Sequence, residues 1–179
     1  MGKDFVFKFS ERETFEKEKE IYEAIKDFKE IILESSFISS GSFYLIKQKK
    51  AQILGYQEGK SWKLRNTLYT KEIIEGLARI LVSLNKAKVN VFDLDHSFTF
   101  SDIGYYSGHW RLIDFDFSLF SKMEKPKKVS KLISFFDTDW SDIEKDCHPD
   151  LRKNDFNHIK DKDISNLSKL IYEKICTQS

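Results

Sequence analysis

Apolar positions recur at helical spacing in three stretches of the chain. Ile73, Ile74, Leu77, Ile80, Leu81 and Leu84 trace one broad stripe, which predicts a helix of about four turns starting near Tyr69. Phe15, Ile21, Tyr22, Ile25 and Phe28 recur through a Glu/Lys-rich segment, which predicts an amphipathic helix with a wet face and cap positions at Ser10 and Thr14. A last helix is expected from Asp163 to Ile175, with Ile164, Leu167, Leu170, Ile171 and Ile175 facing inward.

Between these stretches the period shortens. FVFKF (5 to 9) alternates like a strand, and FISSGSFYLIKQ (37 to 48) reads as two strands, or one bent strand, around Gly41. AQILGYQ (51 to 57) reads as another strand, with GYQEGK as a turn. VNVFDL (89 to 94) is a short buried strand or extended segment, and residues 98 to 117 read as a hairpin closed around Gly104 to Gly108. Residues 118 to 160 hold weak periodicity and both prolines, so a long, partly irregular segment is expected there. No repeat and no linker divides the chain, so the expectation is one domain of the α+β class.

Composition narrows the function. Of 179 residues, 40% are apolar and 33% charged, with 16 Phe, which is a globular balance. A net charge of +1 gives no broad field for nucleic acid or acidic membranes, so neither is expected as a partner. The Lys-rich runs at 47 to 50 and 125 to 128 read as solvated surface. No apolar run approaches the ~18 residues of a membrane span, and MGKDFVFKF lacks a signal-peptide core, so a cytoplasmic location is expected. Cys147 and Cys176 read accordingly as thiols of a reducing compartment. His96, His109, His148 and His158 are scattered and read as no metal cluster, and Trp62, Trp110 and Trp140 read as packing residues.

The stretch with most chemistry is VNVFDLDHSFTF (89 to 100), where an apolar run ends in Asp93 and Asp95. FDLDHS resembles the first motif of haloacid-dehalogenase-like phosphatases, with Ser97 in place of Thr. That resemblance implies Asp93 as nucleophile toward phosphorus, Asp95 as acid and base, and Mg²⁺ to neutralise charge. It covers about a dozen residues.

A second resemblance runs along most of the chain. FVFKF followed by FEKEKEIYEAI resembles the third strand and C-helix of protein kinases, with Lys8 and Glu18 at the matching positions and Glu20 as second choice. FISSGSFYLIKQ resembles the fourth and fifth strands, and the Ile73 to Leu84 stripe the long helix before the catalytic loop. VFDLDHSF stands where that family has H-R-D-L-x-x-x-N, so Asp93 and Leu94 match while Val91, Phe92 and Phe98 replace His, Arg and Asn. WRLIDFD ends where the family has D-F-G: Asp114 and Phe115 match and Asp116 replaces Gly. HPD (148 to 150) is a faint counterpart of A-P-E, and KDKDISNLSKLIYEKI resembles a later helix, with Asp163 matching a loop-supporting aspartate.

The kinase resemblance implies a β-rich N-lobe over residues 1 to 57 and a shortened helical C-lobe over 58 to 179. It implies ATP and Mg²⁺ as cofactors: Lys8 and Glu18 for nucleotide, Asp114 and Asp116 for metal, and Asp93 as the catalytic residue that orients a protein hydroxyl. Departures qualify this. Seven residues precede Lys8, which leaves no Gly-rich loop, Phe98 stands at a metal-ligand position, and the C-lobe helices are cut short. These point to a degenerate, truncated kinase that acts as a binding or regulatory module for a protein partner or a second copy of itself, with the phosphatase as the alternative.

Overall fold

The computed structural model describes residues 4–53, 55–58, 61–64, 68–91, 103–113, 120–136 and 147–177, and everything below refers to these. They form a mixed α+β structure with small antiparallel sheets. In chain order the strands are β1 (Phe5–Phe9), β2 (Ser35–Ser40), β3 (Phe43–Lys49), β4 (Gln52–Ile53), β5 (Gly55–Glu58), β6 (Ser61–Leu64), β7 (Val89–Val91), β8 (Ile103–Tyr106), β9 (His109–Leu112) and β10 (Phe120–Lys122). The α-helices are α1 (Arg12–Ile25), α2 (Lys71–Lys86) and α3 (Lys162–Cys176).

The first sheet runs β1-β3-β2, with both contacts antiparallel. β2 and β3 form a hairpin whose turn begins at Gly41, φ +61°, the left-handed conformation that a two-residue turn wants at its first position. Alternation gives the sheet two faces. Phe37 and Tyr44 point to α1, where Phe15 meets both rings at 5.6 and 5.3 Å and Tyr22 meets Phe37 at 5.3 Å. The helix starts at Glu11, which makes no side-chain cap, rather than at Ser10 or Thr14.

The α2 stripe forms as its spacing predicts, and all six apolar residues named for it are buried. It packs against α3, β9 and β7, and α3 contributes Ile164, Leu167, Ile171 and Ile175 to the same core. Gly76 lets α2 approach β9 closely, since a Cβ there would stand 2.6 Å from Trp110 Cδ1.

The β8–β9 hairpin joins the two halves. Its turn is Ser107 and Gly108, with φ of 50° and 85°, so both central residues are left-handed as a type I′ turn requires. Gly104 lies inside β8 instead, where a Cβ would be 2.7 Å from that of Ala51. Leu112 N–H donates to Ile31 O at 2.8 Å, and Arg111 Nη1 donates to the carbonyls of Lys29 and Ile32, each at 2.9 Å. The segment Ile31–Leu33, fully apolar and buried, is thus fixed to the hairpin and links α1 to the core around α2.

The described part of the partly irregular segment expected over 118 to 160 holds β10, paired with β7, and 3-10 turns at Val129–Phe136 and Lys153–Phe156. Two sequence expectations need correction. GYQE of the expected turn is strand β5, paired with β6. The two cysteines are bonded, Cys147 to Cys176, with Cα atoms 5.6 Å apart. The free-thiol reading fails because Cys147 pairs beside Tyr69 at the head of α2 while α3 ends next to it, a proximity that a sequence separation of 29 does not advertise.

Candidate functional site

α1 carries one ionisable residue in its buried stripe. Phe15, Glu18, Ile21 and Ile25 share the inward face, and the Glu18 side chain is 3% exposed. A carboxylate in such surroundings requires a charged or hydrogen-bonding partner. Lys8 supplies it: its Nζ donates to Glu18 Oε1 at 2.5 Å. Lys8 reaches the helix because strand alternation turns it, with Val6, toward the α1 face, while Phe7 and Phe9 turn away. The lysine side chain remains 39% exposed, so the pair straddles the boundary between the buried face of α1 and solvent. Its attraction is strengthened on the Glu18 side, where the carboxylate is shielded from water.

Glu20, the second choice for that partner, is not on this face. It pairs with Lys122 of β10 at 2.5 Å on the surface. That contact, with the packing of α1 against β7, brings the β7–β10 ladder alongside the helix that holds Glu18.

The other expected site residues, Asp93, Asp95, Asp114 and Asp116, lie outside the described residues. The described strand ends fix where their stretches depart and return. Val91 is the ladder partner of Phe120, and Ile103 that of Leu112. The stretch bearing Asp93 and Asp95 runs from Val91 to Ile103, and the one bearing Asp114 and Asp116 joins Ile113 to Phe120.

Asp163 is exposed in the first turn of α3. The aspartate that does structural work there is Asp161, the N-cap, whose Oδ1 accepts from Asp163 N–H at 2.9 Å and Ile164 N–H at 3.2 Å. The Lys86 ammonium, 2.8 Å from Asp161 Oδ2, and the two backbone donors hold this carboxyl below its ordinary range. At the opposite end of α2, burial pushes the Tyr69 phenol upward.

Shallow clefts surround the start of α2, lined by Thr70, Glu72, Tyr105, Trp110 and His148 among others. Lys8 and Glu18 line none of these. Among the described residues, no group of three or more His, Cys, Asp or Glu side chains is arranged to hold a metal ion. Phe37 and Tyr44, which pack on Phe15 of α1, belong to no motif; their only sequence signal is the alternation of β2 and β3. No protein-family model, curated protein or solved structure matches this chain.

Proposed function

We propose that the chain is a protein-kinase-like module in which Lys8, positioned by Glu18, receives the phosphates of a nucleotide, and that it serves chiefly as a binding or regulatory protein. The observation that carries the reading is the buried Glu18 carboxylate held on the Lys8 ammonium at 2.5 Å. Such a pair is a costly way to stabilise a helix, since an apolar residue in that stripe would pack without desolvating a charge. It is a sound way to hold an ammonium in one place at a solvent boundary for an anion to meet.

The order of elements adds support. A lysine strand, a glutamate helix, a hairpin, a long apolar helix, a short strand and a second hairpin come in the order that the kinase resemblance implies, with β4 and the β5–β6 pair between the first hairpin and the long helix. In this reading ATP and Mg²⁺ are the ligands, with Asp114 and Asp116 toward the metal and Asp93 toward a protein hydroxyl. Lys8 orients phosphate, and Glu18 positions Lys8. The cytoplasmic expectation is not carried into the proposal, because a Cys147–Cys176 bond belongs to an oxidising setting; no helix among the described residues is long and apolar enough to cross a membrane. The phosphatase alternative has no described residue to carry it.

Thermal unfolding with and without Mg²⁺-ATP tests this. At nucleotide about tenfold above Kd, binding adds about 1.4 kcal/mol, a rise in Tm of about 4 °C for a chain of this size. Lys8→Ala and Glu18→Gln should abolish the rise, while Lys122→Ala, which releases only the surface Glu20, should keep it. A folded protein with no rise, or a rise indifferent to Lys8→Ala, refutes the assignment.

A further inference from the structure

We infer that β1 is a self-association strand: two copies of this chain pair antiparallel through the free edge of Phe5–Phe9. The inference supplies a partner for the binding half of the reading above and is independent of the nucleotide half, so either test can fail alone.

Backbone direction identifies the edge. Asp4 O accepts from Lys50 N–H at 2.9 Å and Ser10 N–H donates to Tyr44 O at 3.2 Å, so Asp4, Val6, Lys8 and Ser10 turn their peptide groups toward β3. Phe5, Phe7 and Phe9 turn theirs the opposite way. Among the described residues, no strand pairs with that side. The side chains of the same residues lie on the face away from α1, where Phe7 is 55% and Phe9 70% exposed, and Phe9 meets Phe43 edge to face at 5.5 Å. Ile38 of β2 extends this exposed apolar face across the sheet. The usual guards of an open edge are missing here: β1 has no proline, and its one charge, Lys8, points inward to Glu18.

The strand's own sequence selects the occupant. With a two-fold axis through Phe7, an antiparallel pair sets Phe7 against Phe7 of the second copy and Phe5 against its Phe9. Every outward N–H and C=O of these three residues then meets a counterpart, with aromatic pairs stacked along one face. Lys8 faces Val6 of the second copy and keeps Glu18. Lys47 and Lys49, whose ammonium groups both sit 4.2 Å over the Phe5 ring, then stand at one end of the paired strands in one copy and at the other end in the second. A parallel pairing would align the lysines of both copies, and like charges side by side disfavour it.

Sedimentation velocity from about 1 to 100 µM, a range that spans typical weak-dimer affinities, gives the test. The wild-type chain should pass from monomer to dimer with rising concentration. Phe9→Lys, which sets a cation against the Phe5 end of the second copy, should raise the dissociation constant at least about tenfold. Phe7→Pro removes an outward N–H while sparing the β3 ladder and should do the same. Ile38→Lys, on β2 and away from the paired edge, should leave dimerisation unchanged. If Phe7→Pro does not fold, the exposed Phe9→Lys decides by itself. A monomer throughout the range, or a dimer that survives Phe9→Lys, overturns the inference.

Discussion

The two halves of the molecule use apolar residues in opposite ways. Around α2 and α3 they are enclosed: the α2 stripe is buried, and α3 closes over it with Ile164, Leu167, Ile171 and Ile175. In the sheet that packs on α1, phenylalanines face solvent while a carboxylate occupies the helix's buried stripe. The first half follows the rule that apolar surface is removed from water, and the second departs from it twice, in adjacent elements. Departures of that kind concentrate where a protein meets something else, because a surface optimised only for stability would have neither. On the proposed reading the helical half is the scaffold, and the sheet with α1 is the working part.

Matched truncations are the sharpest way to break this comparison. Leu77→Ala in the buried stripe should cost about 3 kcal/mol in denaturant unfolding, whereas Phe9→Ala in the sheet should fall within about 0.5 kcal/mol. Equal costs would mean that the Phe9 face is covered in solution at the concentration used, and dilution would then separate the two values. A smaller effect is expected from adding an atom to the scaffold. Gly76→Ala gains helix propensity but drives a methyl into Trp110, whose Cβ lies 2.7 Å from the new atom, so a net loss of about 1 kcal/mol is expected. A rise in stability would show that β9 gives way and that the seam between halves is softer than its geometry.

The smallest effect concerns the cap of α3. Asp161 has a carboxyl held below its ordinary value by Lys86 and by backbone donors. A depressed pKa means stability that is present above the unfolded value, near 4, and lost as pH falls through the folded one. Asp161→Asn keeps a capping oxygen but loses the charge, so it should cost about 0.5 kcal/mol at neutral pH. The deficit should shrink below pH of about 4, measured as the Tm difference between wild type and variant across the acid range.

Legibility in the sequence followed the same division. The α2 stripe could be read residue by residue, because six apolar positions on one helical face allow few alternatives. Gly41 marked its hairpin correctly, since a left-handed turn position narrows the choice of residue. Gly104 misled for the same reason: it looked like turn chemistry but answers a steric demand from Ala51, just before the neighbouring strand β4. Lys8 and Glu18 could be singled out only through a family resemblance, because periodicity alone marks a lysine in a strand and a glutamate on a helix as surface residues. The β7–β10 pairing, the double grip of Arg111 on Lys29 and Ile32, and the Cys147–Cys176 bond join residues far apart in sequence, and no local pattern encodes them.

That bond has a consequence for the way the chain comes apart. It closes a covalent ring over 29 residues that contains the 3-10 turn at Lys153–Phe156 and nearly all of α3. In the unfolded chain the ring shortens the search by which α3 regains its place, a restriction equivalent to about 3.6 kcal/mol in the loop-entropy model. A protease that cuts at exposed Arg152 or Lys153 would therefore open a ring without releasing a fragment. The nicked protein would run as one species until a reductant is added, and only then separate into two peptides.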